Sequence, residues 1–386
     1  MEIQGVCDPK FGEVREEFER NFSERGDVGA SVCVAVEGET VVDLWGGIAD
    51  PETATPWQED TITVVMSMTK AATALCAHIL ADRGDLDIDQ PVAYYWPEFA
   101  QNGKERIPVR MLLNHQAGLP GFREPIPAGK PYDWEYMVAR LAAERPFWEP
   151  GRQYAYHSVT FGWLVGEVVR RVSGTSLGTF FREEVAEPLG LDFWIGLPLS
   201  EVPRAVRLLP RLEPATEVIG VADLREAVVS SGINEPVEWW NTPQAYAAEL
   251  PASGGITNAR AAAYMYAALS LGGTRDGVRL VRPETVERMS RVQSLLVADA
   301  LGDITAPFGL GFMLASPASG FPRTRFGHDG AGGSRGFADP AARLAFGYVM
   351  NQMSETPRAD ALTTAVYRSL GYRPGQYGIW MPQAGL

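Results

Sequence analysis

Residues 64–75, VVMSMTKAATAL, carry the pattern around which the rest of this chain is organised. Ser67 and Lys70 stand three positions apart at the head of an apolar helical stretch. Residues with this spacing share one face of a helix, so the lysine amine is expected to reach the serine hydroxyl. A serine is a weak nucleophile until a base removes its proton, and a lysine can be that base once its pKa is lowered. The stretch therefore predicts an activated serine on a buried helix.

The Ser-x-x-Lys pattern is weakly specific when taken alone. With 18 serines and 4 lysines in 386 residues, a chance occurrence is expected in about one in five such chains. The rest of the chain therefore has to supply the other parts of an acyl-transfer site, which are a proton relay and donors for an oxyanion.

Composition indicates an ordinary globular protein and narrows its possible partners. The chain is 46% hydrophobic with a net charge of -14, which argues against nucleic acid or an anionic membrane surface as partner. Its three cysteines are scattered and no metal-ligand spacing appears, so we expect no disulfide and no metal site. The first residues lack the basic segment and apolar core of a secretory signal, and no later stretch has the 18 uninterrupted apolar residues of a membrane span. We expect a cytoplasmic protein with a small-molecule partner.

Hydrophobic periodicity predicts an α+β fold with two lobes. A helix over 11–22 and a β-hairpin over 29–45 come first. Residues 88–244 predict mainly helices, which we interpret as a helical lobe inserted into a discontinuous α/β lobe of residues 1–87 and 245–386. The active site is expected in the cleft between them. A helix is predicted over 254–270, and short connections predict that the following strands pair antiparallel; they cover 308–314, 324–328, 334–339 and 344–350.

Residues 150–158, PGRQYAYHS, place Tyr156 on a loop just before an amphipathic helix over 161–172. A tyrosine near a lysine ammonium loses its proton more easily and can serve as base or relay. Most tyrosines are packing residues with a satisfied hydroxyl, and that interpretation stays open here.

Residues 326–334, FGHDGAGGS, predict a strand followed by a glycine-rich turn. Small residues let backbone N–H groups approach a substrate closely, as oxyanion donors must; a plain hairpin turn is the alternative. Residues 332–336, GGSRG, also match the Gly-x-Ser-x-Gly nucleophile elbow. We reject the elbow, because the segment leads into a strand and all four histidines precede Ser334; they are His78, His115, His157 and His328.

Together these stretches resemble the serine β-lactamase and penicillin-binding-protein superfamily. Residues 67–70, SMTK, 156–158, YHS, and 328–330, HDG, are similar in order and separation to its Ser-x-x-Lys, Tyr-x-Asn and Lys-Thr-Gly elements. Residues 112–120, LLNHQAGLP, look like its Leu-Leu-x-His-x-(Ser/Ala)-Gly-Leu stretch. The resemblance covers about 29–350 and is greatest to class C β-lactamases and, among their relatives, to family VIII carboxylesterases.

The resemblance implies a β-lactamase/transpeptidase-like fold, in which an antiparallel sheet is flanked by helices, and a hydrolase without a cofactor. It implies Ser67 as nucleophile, Lys70 as its base partner and Tyr156 as base or proton relay. Backbone N–H groups of Ser67 and Ala331 would form the oxyanion hole. The candidate substrate-binding residues are Ser158, His328, Gly330, Trp239 and Trp240.

Some of these candidates have an alternative interpretation. Trp239 and Trp240 fall in a long loop predicted over 216–243, where they could line a cleft for an apolar group or pack the lobes together. His115 is expected to hold the loop over 116–122 by hydrogen bonding to backbone. His157 could tune its neighbour in the chain or be structural, and His78 is expected in the core.

Two positions depart from the superfamily pattern. Ser158 stands where β-lactamases carry asparagine, and His328 stands where they carry lysine. Because a histidine is at most partly charged at neutral pH, strong activity on β-lactams is not expected. The expected function is a carboxylesterase for short-chain or aryl esters that works through an acyl-enzyme. Amide hydrolysis, weak β-lactamase activity, acyl transfer and penicillin binding without turnover are the alternatives.

Overall fold

The computed structural model describes residues 2–213, 226–228, 236–294, 306–316, 319–375 and 380–382. Its described strands are β1 (Ile3–Cys7), β2 (Gly29–Val36), β3 (Glu39–Asp50), β4 (Thr55–Pro56), β5 (Ile62–Val64), β6 (Phe193–Ile195), β7 (Ala205–Val206), β8 (Gly255–Thr257), β9 (Thr274–Arg275), β10 (Val278–Arg279), β11 (Met313–Leu314), β12 (Phe326–Asp329), β13 (Arg335–Asp339), β14 (Leu344–Met350), β15 (Tyr372–Pro374) and β16 (Trp380–Pro382).

The main sheet is antiparallel and joins the two ends of the chain. Its strands are ordered β1-β3-β2-β14-β13-β12-β11, and β4 pairs with β3. Strand β14 pairs antiparallel with β2, from Leu344 opposite Val36 to Met350 opposite Ala30. The predicted β-hairpin over 29–45 and the antiparallel pairing of β11 to β14 are confirmed.

The described helices are α1 (Gly12–Glu24), α2 (Thr69–Arg83), α3 (Val92–Tyr95), α4 (Val109–Leu113), α5 (Trp134–Ala143), α6 (Thr160–Ser173), α7 (Leu177–Phe181), α8 (Glu187–Leu189), α9 (Val237–Trp240), α10 (Pro243–Ala247), α11 (Ala259–Ser270), α12 (Pro283–Ser290) and α13 (Arg358–Ser369). One turn of π-helix, Arg182–Ala186, joins α7 to α8. None of these helices is long and apolar enough to cross a membrane.

Helix α2 is the buried element that carries the Ser-x-x-Lys lysine. Every side chain from Thr69 to Leu80 is buried, which an apolar helix of this composition predicts. The helix ends at Gly84 with φ of 86°, a left-handed conformation that glycine adopts without strain. His78 donates from Nε2 to Leu310 O at 2.8 Å inside the core, as predicted.

A second, four-stranded sheet has the order β6-β8-β5-β7 and leads the chain into the site. Its strand β8 corrects the prediction of a helix from 254. Residues 255–257 are extended and pair with β5 and β6, and the helix begins only at Ala259. Two consecutive glycines, Gly254 and Gly255, are poor helix formers, and the Asn258 side chain caps α11 by accepting from Ala261 N–H.

The described part of residues 88–244 is mainly helical and contributes only β6 and β7 to a sheet. The division into two lobes stays a prediction. Core packing is continuous from α2 through α6 and α11, and a second cluster lies on the opposite face of the main sheet under α1 and α13. Strand β12 packs against the start of α2 and the turn before it, and this contact brings His328 near Ser67 and Lys70.

Candidate active site

Ser67 lies in a single 3-10 turn, Met66–Met68, between β5 and α2. Met66 has φ of 49°, a left-handed conformation that is unfavourable for a residue with a side chain and persists only where neighbours enforce it. Thr69 enforces it: its hydroxyl donates to Met66 O at 2.6 Å and accepts from Gly255 N–H at 2.8 Å. The serine is thereby fixed against β8.

Lys70 is fully buried, and its amine lies 2.9 Å from Ser67 Oγ. It also donates to Ala252 O at 2.9 Å. Burial lowers the pKa of Lys70 well below the usual 10.5, with no carboxylate opposing the shift. A neutral amine has two N–H donors and one lone pair. With one N–H on Ala252 O, the lone pair can accept the Ser67 proton.

The ring of Tyr156 lies beside the Lys70 amine. The Lys70 amine is 4.8 Å from the centre of the Tyr156 ring, and the phenol oxygen is 3.5 Å from His328 Nε2. His328 Nδ1 donates to Asp329 O at 2.7 Å, which leaves Nε2 as an acceptor. Burial, and secondarily the nearby Lys70, lower the pKa of His328 to about 3. The histidine that replaces the superfamily lysine is therefore neutral.

The glycine-rich turn after β12 is pressed against the chain leading to Ser67. A Cβ on Gly330 would lie 2.1 Å from Ser334 Oγ and 2.2 Å from Val65 O, so only glycine fits. Ser334 itself is buried, and its hydroxyl donates to Val65 O at 2.8 Å. This hydroxyl braces the turn and is not presented as a nucleophile. Ala331, at the tip of the turn, is exposed.

A buried ion pair supports the same turn from behind. Arg358 and Asp27 are both fully buried and paired at 2.5 Å. Arg358 also donates to Gly332 O at 2.9 Å. A charge buried without such partners would be costly, so this pair ties the turn firmly to α13.

Two histidines hold the loop that carries Tyr156, with their roles distributed differently from the prediction. His157, not His115, binds the loop at 116–122, because its Nε2 accepts from Leu119 N–H at 3.0 Å. His157 Nδ1 donates to Ala155 O at 2.6 Å. His115 instead faces Tyr156, with ring centres 5.0 Å apart.

The other candidate residues lie around this cluster or apart from it. Ser158 is partly exposed on the loop before α6. Trp239 stacks on Tyr132 at 4.8 Å between ring centres and meets Trp240 edge-on, while Trp240 is 6% exposed. Much of the loop predicted over 216–243 lies outside the described residues, and its described end contains helix α9. Substrate contact by these residues stays a prediction.

Several residues that shape the site were not identified from the sequence. Thr69 stands inside the Ser-x-x-Lys pattern itself, where a hydroxyl beside the turn was an available signal. Ala252 acts through its carbonyl and Arg358 through a distant contact, for which a sequence carries no local signal. No group of three or more histidines, cysteines or acidic residues in the described ranges could hold a metal ion.

The main antiparallel sheet is flanked by helices, and a serine lies one helical turn ahead of a buried lysine beside it. This arrangement is the β-lactamase/transpeptidase-like fold. The chain belongs to the beta-lactamase family, whose model matches residues 18–369, and is a hydrolase of that family.

Similar proteins include esterases. The chain is 37% identical over 364 residues to the protein named Esterase/beta-lactamase LipL of Mycobacterium tuberculosis, covering 91% of this chain and 83% of that one. The crystal structure of a family VIII carboxylesterase is 41% identical with a TM-score of 0.90, covering 96% of this chain and 100% of the other. A penicillin-binding protein homolog from Caulobacter crescentus is 39% identical with a TM-score of 0.89 at the same coverage.

Proposed function

We propose that this protein is a cofactor-independent carboxylesterase that hydrolyses short-chain or aryl esters through an acyl-enzyme on Ser67. Ser67 Oγ attacks the ester carbonyl carbon while its proton passes to Lys70 Nζ. Backbone N–H groups of Ser67 and Ala331 stabilise the oxyanion. The Tyr156 hydroxyl gives a proton to the leaving alcohol and regains one from Lys70. Water then attacks the acyl-serine ester by the same route, which releases the acid and restores the hydroxyl of Ser67.

One observation carries this proposal: a fully buried amine, with its pKa lowered by burial, stands 2.9 Å from a serine hydroxyl. Burying a charged lysine without a counter-ion is costly, so the amine loses its proton more readily, and a neutral amine is a competent base at ordinary pH. The esterase names among the similar proteins support ester hydrolysis in particular.

The preference for neutral esters follows from His328. A β-lactam carries a carboxylate that an ammonium at this position would attract. His328 offers no positive charge, because its pKa is about 3, and its unprotonated Nε2 faces the Tyr156 hydroxyl at 3.5 Å. Losing a charged hydrogen bond costs roughly 1.5–3 kcal/mol of binding, so an anionic substrate has less to gain here than an uncharged ester.

A substrate panel tests the proposal directly. We expect kcat/KM for p-nitrophenyl butyrate to exceed that for a chromogenic cephalosporin by about 10- to 100-fold, the worth of one charged hydrogen bond, and also to exceed that for a D-alanine anilide. Steady-state release of p-nitrophenol should continue well beyond one equivalent per chain. A single-equivalent burst without turnover would indicate a penicillin-binding function instead, and a higher kcat/KM for the anilide would indicate an amidase.

The substitution His328→Lys should shift this preference toward carboxylate-bearing substrates. We expect the ratio of kcat/KM for the cephalosporin to that for the neutral ester to rise about tenfold, because a charged hydrogen bond contributes at least about 1.5 kcal/mol. His328→Gln is the matched control, since it stays neutral and should leave the ratio near that of the unsubstituted protein. An equal rise in both variants would show that charge at residue 328 does not set the preference.

A further inference from the structure

The main chain on both sides of Tyr156 is hydrogen-bonded to one residue, His115. Ala155 N–H donates to His115 O at 3.3 Å, and His157 N–H donates to His115 Nδ1 at 3.1 Å. The imidazole of His115 also packs on the Tyr156 ring, with centres 5.0 Å apart. One fully buried side chain thus contacts the ring of the phenol and its backbone support.

The hydrogen bonds and the burial of His115 suit it to hold the neighbouring backbone in place, and they do not suit it to exchange protons. Because Nδ1 accepts from an N–H group, it carries no proton, and burial lowers the pKa of His115 well below the usual 6.5. The ring is therefore neutral, with its proton on Nε2. Its backbone adopts φ of 62° two residues after the end of α4, a conformation that histidine and asparagine enter more readily than most residues.

Tyr156 needs such support because it is on a loop. The residues from 153 to 157 belong to no helix or strand, so no regular ladder of hydrogen bonds fixes them. A phenol hydroxyl lies far from its own Cα, and a small rotation of the backbone moves it by a large distance. A misplacement of about 1 Å in a catalytic group can cost about 100-fold in rate.

We propose that His115 is the positioning residue for Tyr156: by accepting the His157 N–H at Nδ1, it sets where the phenol hydroxyl lies relative to Lys70 and His328. This inference rests on the proposed function, in which Tyr156 relays a proton. His157 assists, since its Nδ1–H donates to Ala155 O on the other side of Tyr156.

The substitutions His115→Asn and His115→Gly separate this role from mere packing. Both residues tolerate a positive φ, and both remove the imidazole ring. Only asparagine keeps an acceptor at the position of Nδ1, in its side-chain oxygen. The pair therefore differs in the hydrogen bond to His157 N–H while sharing the loss of packing.

We expect His115→Gly to lower kcat for p-nitrophenyl butyrate by about 100-fold, with less than about a threefold change in KM. His115→Asn should recover at least tenfold of that loss. The amount of folded enzyme is measured by labelling Ser67 with a fluorophosphonate until labelling is complete, and each kcat is divided by that amount. A variant with a smaller folded fraction then does not appear to have slower chemistry. Equal kcat in the two variants would overturn the inference, as would a loss confined to KM.

Failure of the inference is distinguishable from failure of the proposed function. If the unsubstituted protein turns over no ester, the function is wrong. If it turns over ester and the two His115 variants do not differ, only the positioning role is wrong.

A second pair decides the matter if His115→Gly does not fold. His115→Asn keeps an acceptor at the position of Nδ1 for His157 N–H, whereas His115→Gln carries the same amide one carbon further from the backbone, nearer the position of Nε2. The inference predicts at least a fivefold higher kcat in His115→Asn than in His115→Gln. The same or lower kcat in His115→Asn would overturn it.

Discussion

Replacing Ser67 with alanine is expected to lower kcat for a p-nitrophenyl short-chain ester by about 10⁶-fold, the order of loss found when a serine nucleophile is removed. Ser334→Ala is the matched control, because Ser334 is the serine of the rejected elbow pattern. Its hydroxyl is buried and donates to Val65 O. Turnover should therefore persist within about tenfold, while the free energy of unfolding falls by about 1–3 kcal/mol.

Labelling with a fluorophosphonate locates the nucleophile independently of turnover. The adduct should appear by mass spectrometry on the peptide that contains Ser67 in the unsubstituted protein and in Ser334→Ala. It should be absent from Ser67→Ala. Retained turnover in Ser67→Ala, or an adduct on Ser334, would refute the mechanism.

The elements of the fold that could be predicted from sequence are those whose apolar pattern matches their burial. Strand β14 reads as a continuous apolar run and is buried throughout. The hairpin of β2 and β3 has its turn at two residues with positive φ, Glu37 and Gly38. In each case the local pattern and the tertiary environment favour the same structure.

Other elements depend on pairing that no local pattern reveals. Strand β1 is mostly exposed and forms only because it pairs along β3. The local pattern predicts a helix over residues 255–257 because the alanine-rich stretch after them is helical, whereas pairing with β5 and β6 makes them a strand. Tertiary context overrides propensity at both places.

The same distinction between local sequence pattern and tertiary contact decides which parts of the site could be predicted. The proximity of Ser67 and Lys70 follows from spacing alone and is observed at 2.9 Å. Their encounter with Tyr156 and His328, which lie far away in sequence, could be predicted only through the resemblance, because the fold brings these residues together. The contact of Lys70 with Ala252 O could not be predicted at all, since any residue offers a carbonyl.

Removing the amine of Lys70 tests the base. Lys70→Met should lower kcat/KM on the short-chain ester by about 10³-fold, within the range for a general base. Lys70→Arg should lose a comparable amount, because an arginine keeps the positive charge but cannot release its proton. Substantial activity in Lys70→Arg would show that the charge at this position, and not its basicity, matters.

The pH profile identifies the same group. Activity requires unprotonated Lys70, so kcat/KM should fall as pH falls through its lowered pKa. The pKa values of His328 and His157, about 3 and about 4, are too low to cause a fall in kcat/KM above about pH 5. The residual kcat/KM of Lys70→Met should therefore no longer fall in the pH range where that of the unsubstituted protein does. Persistence of the fall would assign the titration to another group.

The lowered pKa of Lys70 also has a consequence for stability. The unfolded chain binds a proton at this amine below about pH 10.5, whereas the folded protein binds it only well below that value. Folding therefore expels a proton, and this opposes stability increasingly as pH falls from 10.5 toward the folded pKa. The free energy of unfolding of Lys70→Met should thus exceed that of the unsubstituted protein most at pH values below the lowered pKa, and the excess should shrink as pH rises toward 10.5. A difference independent of pH would mean that the folded amine keeps its proton, and it could then not serve as the base.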